Sequence, residues 1–256
     1  MKTIEIASYP KSGNTWLLRI IENFFDVAEG KSFRTLDIHT RPDEVVSREN
    51  AFRCDLLNDD VCIYKSHILK NPLVNPDLVI YLYRHPLDVF LSALNFLFHR
   101  SEHFDEARIR DIWLGHSRGT VEQIMADGNL EPLFQDFNKR CGANYWPKML
   151  GKQSNHLLHV EAALSCDQSQ LVILRYEDLI QDAHTVSLQM FERLFQRKFP
   201  HLELDLAKVD EQTKGSGNDK FFWKAKAGNY KDVLTPQQIA KFEKRHLKRL
   251  GRMGYL

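Results

Sequence analysis

Apolar residues in this chain come in short runs, several of them followed by stretches in which they recur every three or four positions. Thr3 to Ser8 reads as a short strand, and from Thr15 onward Trp16, Leu17, Ile20, Ile21 and Phe24 keep helical spacing. The chain therefore opens as strand, turn, helix. A second strand fits Val61 to Lys65, a third the uninterrupted run Leu78 to Tyr83, and a fourth Leu171 to Leu174. Runs without polar alternation belong to strands buried on both faces, as in a parallel sheet covered by helices. After the third strand, Pro86 stands where the first turn of a helix tolerates proline, and Val89, Phe90, Ala93, Phe96 and Leu97 supply its buried face. After the fourth, Leu188, Phe191, Leu194 and Phe195 mark another amphipathic helix, and Thr235-Pro236 makes an N-cap and first-turn pair for a basic helix reaching about Leu250. This alternation predicts an α/β three-layer fold, a central parallel sheet flanked by helices, with ligands at the carboxyl ends of the strands. There is no internal repeat and no low-complexity linker, and Arg100 to Asn144 is polar and uneven.

With 256 residues, 43% hydrophobic and 27% charged, the chain suits one large domain over 1–256. Lys and Arg number 35 against 34 for Asp and Glu, a net charge of +1. Any basic site must then be a local cluster, which argues against bulk nucleic-acid or anionic-membrane binding. The start, MKTIEIASYP, has no long apolar segment before its first charges, and no stretch reaches the ~18 apolar residues of a membrane span. A soluble, cytoplasmic protein is expected. Cys54, Cys62, Cys141 and Cys166 are scattered with no CxxC pair, a pattern of reduced, mostly buried thiols and not of a disulfide frame or zinc site.

The turn after the first strand reads Tyr9-Pro10-Lys11-Ser12-Gly13-Asn14-Thr15-Trp16. Ser12, Gly13, Asn14 and Thr15 can aim backbone N–H groups and a helix N-terminus at an anion. A nucleoside-triphosphatase loop puts its lysine directly after the last glycine and then a Ser or Thr to hold magnesium. Here Lys11 precedes Gly13, and Asn14 follows it, so the magnesium-loading order is missing. The third strand ends in Tyr83-Arg84-His85-Pro86, with Arg84 at the carboxyl edge and Ser92 eight residues on. A guanidinium fork suits phosphate oxygens. Two anion-adapted strand ends in one sheet imply a ligand with two separate phosphate-like groups. Lys65-Ser66-His67 closes the second strand, so an ammonium and an imidazole with a pKa suited to neutral pH reach the same edge.

These residues, taken together, resemble the cytosolic-type sulfotransferases that use 3′-phosphoadenosine 5′-phosphosulfate. YPKSGNTW (9–16) is similar to the family's 5′-phosphosulfate loop, YKSH (64–67) to the segment bearing its catalytic histidine, and LYRHPLDVFLS (82–92) to its 3′-phosphate motif. RYEDL (175–179) is similar to the segment whose tyrosine approaches the adenine, and KAGNYKDVLT (226–235) to the C-terminal glycine-rich motif. The landmarks stand in family order from Tyr9 to Thr235. The resemblance implies a P-loop-nucleotide-hydrolase-like sulfotransferase fold and no metal. It also accounts for the early lysine: a transferring sulfuryl group carries less negative charge than a γ-phosphoryl, so charge stabilisation at the bridging oxygen suffices without magnesium. By the resemblance, Lys11 hydrogen-bonds the oxygen between sulfur and phosphorus, Ser12 and the backbone of Gly13 to Thr15 hold the 5′-phosphate, and Lys65 supports the sulfuryl oxygens. His67 is implied as the general base on the acceptor hydroxyl or amine. Arg84 and Ser92 are implied at the 3′-phosphate, Trp16 and Tyr176 against the adenine, and Lys224, Lys226 and Gly228 in the C-terminal arm of the donor site.

The chain departs from the family in that arm. Aligned on Gly228, the family's Arg-Lys-Gly falls on Trp223-Lys224-Ala225, so the lysine stays and the arginine's fork is lost, with Lys226 as the substitute. Tyr230 replaces a tryptophan. Of the family's dimerisation pattern, Lys231 and Thr235 are kept while Pro236 and Ala240 replace a valine and a glutamate, and that dimer is not expected. The chain starts almost at its first strand, which leads us to expect a compact member with a more open acceptor pocket. Residues 100–144, with Phe104, Trp113, Leu114 and Phe134, are where a lid and acceptor pocket are expected, although such aromatics serve a core equally well. A phenol, a steroid-like alcohol, a sugar or a peptide natural product all fit as acceptor.

Three rival readings have sequence features behind them. His99-Arg-Ser-Glu102-His103 spells an inverted zinc-protease motif, which chance readily produces among eleven histidines. A small-molecule kinase would need a Ser or Thr after the lysine and an acidic residue ending a strand, and Asp178 is the nearest candidate. A non-catalytic nucleotide-binding adaptor is the third, motivated by the altered C-terminal arm. Retention of Lys11, Lys65 and His67 argues against it, because binding alone needs no base.

Overall fold

In the computed structural model, the residues described are 1–30, 36–37, 46–69, 75–100, 121–142, 150, 153–167, 169–214 and 226–256. In chain order they form β1 (Lys2–Ser8), α1 (Asn14–Glu29), β2 (Leu36–Asp37), β3 (Phe52–Cys54), β4 (Asp59–Ser66), β5 (Leu78–Tyr83), α2 (Pro86–Arg100) and α3 (Val121–Ala126). There follow α4 (Leu130–Arg140), α5 (His156–Leu164), β6 (Leu171–Arg175), α6 (Tyr176–Gln181), α7 (Ala183–Phe195), α8 (Leu206–Lys214), α9 (Tyr230–Val233) and α10 (Pro236–Arg252). Two compact units emerge, one of residues 1–84 with 163–216 and one of residues 85–162 with 217–256.

The first unit holds the sheet, in the order β2-β4-β1-β5-β6, all parallel, with β3 antiparallel on β4. Alternate residues of each strand share a face. Ile4, Ile6, Val61, Ile63, Ile80, Leu82, Val172 and Leu174 enter one core cluster with Leu17, Ile20, Ile21 and Phe24 of α1 and Met190, Phe191 and Leu194 of α7. Phe24 stacks on both Phe191 and Phe195. A side chain so buried contributes about 1.5–3 kcal/mol. The other sheet face is buried too, through Glu5, Ala7, Cys62, Tyr64 and Tyr81, which is why these strands show apolar runs instead of alternation.

Parallel order has one consequence for function. The register pairs Ala7 with Ser66, Ser8 with Leu82 and Tyr83 with Arg175, so β1, β4, β5 and β6 all end at a single edge. The residues that follow each strand (Tyr9 to Gly13, His67, Arg84 and Tyr176) leave the sheet there.

The second unit is helical. Phe90 of α2 packs on Phe134 and Phe137 of α4, and Phe137 lies against Phe242 of α10. The expected cap of α10 is a full capping box: the Thr235 hydroxyl accepts from the Gln238 N–H, and the Gln238 side chain accepts from the Thr235 N–H. Phe242, His246 and Leu250 form its buried stripe. No helix among the described residues is long and apolar enough to cross a membrane.

The four expected strands and the helices beginning near Thr15, Pro86 and Pro236 are all present. The helix over Leu188 to Phe195 is present as α7, whereas β2, β3 and the helices α3, α4, α5, α6, α8 and α9 have no counterpart among the expected elements. All four cysteines are free, three of them buried, and burial pushes the Cys54 thiol up to about 11 and the Cys141 thiol up to about 12.

Candidate active site

In the first unit, the loop between β1 and α1 makes a tight turn. The Ser12 N–H bonds the Tyr9 carbonyl at 3.3 Å, Lys11 sits at φ 70° and Gly13 at φ 107°, so the chain doubles back before α1 begins. Gly13 caps α1 with no side-chain hydrogen bond, which leaves first-turn N–H groups for another acceptor. Ser12 is fully buried and Asn14 nearly so, and the Ser12 hydroxyl and both amide atoms of Asn14 have no hydrogen-bond partner among the described residues. Each such group costs about 1–3 kcal/mol if left unsatisfied. Their concentration in one loop fits an oxygen-rich ligand that both accepts and offers hydrogen bonds.

The glycine has a second reason. A Cβ at Gly13 would lie 2.6 and 2.7 Å from the Tyr176 ring carbons. Tyr176 opens α6 directly after β6, is buried, and is met edge-on by Trp16 at 6.1 Å between centroids. The Arg84 guanidinium lies over its face, 4.4 Å from the centroid, a cation–π contact. Tyr176 therefore joins the ends of β1, β5 and β6. The Trp16 indole N–H donates to Asp210 of α8 at 3.0 Å, which holds the indole at the mouth of α1.

His67 follows β4, half-buried, and its Nδ1 lies 3.0 Å from the Ser8 carbonyl oxygen, the last of β1. A carbonyl only accepts, so Nδ1 carries the hydrogen and Nε2 is the proton-accepting nitrogen of the neutral ring. Lys65 stands two residues earlier, paired in register with Ile6. Tyr83 at the end of β5 is pushed above the ordinary phenol range by burial, against the pull of Arg175, so it stays a hydrogen donor. Asp178 forms an ion pair with Arg175, whose Nε is 3.0 Å away. Asp178 is the carboxylate that a kinase reading would assign to magnesium.

In the second unit lie Ser92, Lys226 and Gly228. Ser92 is buried in α2. Gly228, at φ 77°, donates its N–H to Asp88 Oδ2 at 2.7 Å, and the Tyr230 N–H donates to Asp88 Oδ1 at 3.1 Å. The Asn229 side chain donates to the Lys226 carbonyl at 2.7 Å, while the Lys226 ammonium reaches outward to Asp232. Asp88, missed in the sequence, is only 1% exposed. Its sequence signal is faint, since an acidic residue in the first turn of a helix is ordinarily a solvated partner of the helix dipole. Lys224, Trp223 and Ala225, together with Phe104, Trp113, Leu114 and Glu102-His103 of the inverted zinc-protease motif, lie outside the described residues. Phe134 is a core residue of the helical unit. No group of three or more potential metal ligands occurs among the described residues.

Residues 2–254 match the family model described as "Sulfotransferase domain". Among solved structures, the chain is similar to mouse sulfotransferase SULT7A1 complexed with PAP, with TM-score 0.59 and 17% identity over 97% of this chain and 84% of that one. It is also similar to retinol dehydratase in complex with androsterone and the inactive cofactor PAP, with TM-score 0.60 and 15% identity over 98% of this chain and 81% of that one. A second retinol dehydratase structure, with retinol and PAP, gives TM-score 0.55 and 15% identity over 98% and 82%. A search of curated proteins by sequence returns no match. The structural likenesses concern the fold, and the expected α/β architecture agrees with them.

Proposed function

The chain belongs to the sulfotransferase domain family, and from that premise we propose that it moves a sulfuryl group from 3′-phosphoadenosine 5′-phosphosulfate to a hydroxyl or amine of a small-molecule acceptor. The observation that supports His67 as the base is the bond from its Nδ1 to the Ser8 carbonyl, which orients the ring beside the end of β1. His67 Nε2 takes the acceptor proton as the acceptor oxygen or nitrogen bonds to sulfur. The bond from sulfur to the bridging oxygen breaks, and adenosine 3′,5′-bisphosphate leaves.

Lys11 offsets charge on the departing oxygen, and Lys65 supports the sulfuryl oxygens. Ser12, Asn14 and the N–H groups of Gly13 to Thr15 take the 5′-phosphate, a role supported by the orphaned polar atoms of Ser12 and Asn14. Arg84 and Ser92 are proposed for the 3′-phosphate, with Lys224, Lys226 and Gly228 as its second arm, and Trp16 and Tyr176 for the adenine. The PAP bound in the structural neighbours supports this choice of donor. The proposed compartment is the cytoplasm, in keeping with four free cysteines.

Calorimetric titration with adenosine 3′,5′-bisphosphate, adenosine 5′-monophosphate and ATP with magnesium tests the donor assignment. Selective, magnesium-independent binding of the bisphosphate is expected. Preference for ATP with magnesium would replace the proposal with a kinase. Transfer of label from sulfur-labelled donor to a panel of phenols, alcohols, sugars and peptides then tests turnover and sorts acceptors.

A further inference from the structure

The Asp88 carboxylate sits in the first turn of α2, almost fully buried, and receives two backbone N–H groups from the C-terminal glycine loop, those of Gly228 and Tyr230. One carboxylate is thus spread over two donors that are two residues apart in sequence. Between them the Asn229 amide is tied back to the Lys226 carbonyl. The loop is further held by the His85 ring, which stacks on Tyr230 at 4.3 Å and nearly parallel, while its Nδ1 accepts the Leu87 N–H at 3.3 Å. Asp88 and Ser92 are four residues apart, hence on one face of α2 and one turn from each other. Both are buried.

From this geometry we infer that Asp88 is a positioning residue for the 3′-phosphate end of the donor. It fixes the loop carrying Lys226 and Gly228 to the same helix face that carries Ser92, so that two groups assigned to one phosphate are set by one anchor. The inference rests on the donor reading above. Where a flexible loop must order itself around a phosphate, each grip counts against the ordering cost. A loop already fixed by a buried carboxylate has met that cost in folding.

The test compares wild type, Asp88→Asn and Asp88→Ala by titration with adenosine 3′,5′-bisphosphate and adenosine 5′-monophosphate, with thermal melts alongside. Asp88→Asn keeps the shape and one acceptor oxygen, and Asp88→Ala removes both. Asp88→Ala should weaken bisphosphate binding on the order of tenfold or more and Asp88→Asn by less, while monophosphate binding stays within about twofold in both. A merely structural role would weaken both nucleotides alike. Such parallel loss, or unchanged bisphosphate affinity, overturns the inference. Should Asp88→Ala fail to fold, the ratio of the two affinities in Asp88→Asn decides on the same terms. If wild type itself does not discriminate between the nucleotides, the donor reading falls and this inference with it. If wild type discriminates and both variants do so equally well, the inference alone falls.

Discussion

The imidazole of His67 is tethered through Nδ1 to the carbonyl oxygen of Ser8, 3.0 Å away and one strand over. The tether selects the tautomer, so the ring presents Nε2 as its basic nitrogen. A group that acts only when the acceptor attacks contributes to turnover and not to donor affinity. His67→Ala should therefore lower kcat by about 10²- to 10⁴-fold and leave affinity for adenosine 3′,5′-bisphosphate nearly unchanged. Single-turnover assays with labelled donor, paired with calorimetry, check both halves. Loss of nucleotide binding in the variant would make His67 a structural residue.

At Gly13 two constraints coincide. The backbone stands at φ +107°, and an added Cβ would press to within 2.6 Å of the Tyr176 ring. Either constraint alone costs on the order of 1–3 kcal/mol. Gly13→Ala should lower the melting temperature by several degrees and weaken every adenine nucleotide, because relief requires Tyr176 or the loop to move. A variant with wild-type melting and binding would show that the turn is softer than its geometry implies.

Tyr176 was expected against the adenine, and its ring also carries the Arg84 guanidinium 4.4 Å from its centroid. Tyr176→Leu keeps bulk but loses the negative ring face, and should weaken bisphosphate binding by about 0.5–2 kcal/mol through a less fixed Arg84. Arg84→Ala should weaken it by about 2–4 kcal/mol, the range for leaving a charged ligand group unpaired. The double variant should lose less than the sum of the single losses, because both act on one phosphate grip. Strict additivity in titration of all three would separate the two residues.

The sheet was legible where strands are buried on both faces, since Leu78 to Tyr83 and Leu171 to Leu174 admit no polar residue. β2 and β3, two and three residues long, are too short for any period to register. At the candidate site, His67, Arg84 and Tyr176 could be placed because each follows directly on a strand, with Lys11 three residues past the end of β1, and a parallel sheet delivers its carboxyl ends to one edge. Asp88 could not be found that way. Its partners are the N–H groups of residues 140 and 142 positions later, and backbone donors leave no mark in a side-chain pattern. The tether on His67 escaped for the same reason, its acceptor being a main-chain carbonyl.

Acid should weaken the fold, with His156 as the main local cause. His156 is fully buried in the helical unit, and burial first, then His159 and His85 nearby, lower its pKa to about 3 from an ordinary 6.5. The folded chain thus holds this ring neutral through a range in which the unfolded chain protonates it. Stability from this group is complete above about pH 6.5 and is lost progressively as pH falls toward 3, by up to about 1.4 kcal/mol per pH unit. His246, likewise lowered by burial, acts in the same direction. Denaturant melts at intervals from pH 7.5 to 4.5 should show stability falling with acid. His156→Phe, which fills much the same volume without a titrating group, should have a shallower slope than wild type. An unchanged slope would mean that His156 takes up its proton in the folded state near the ordinary pKa, and that the acid sensitivity comes from other groups.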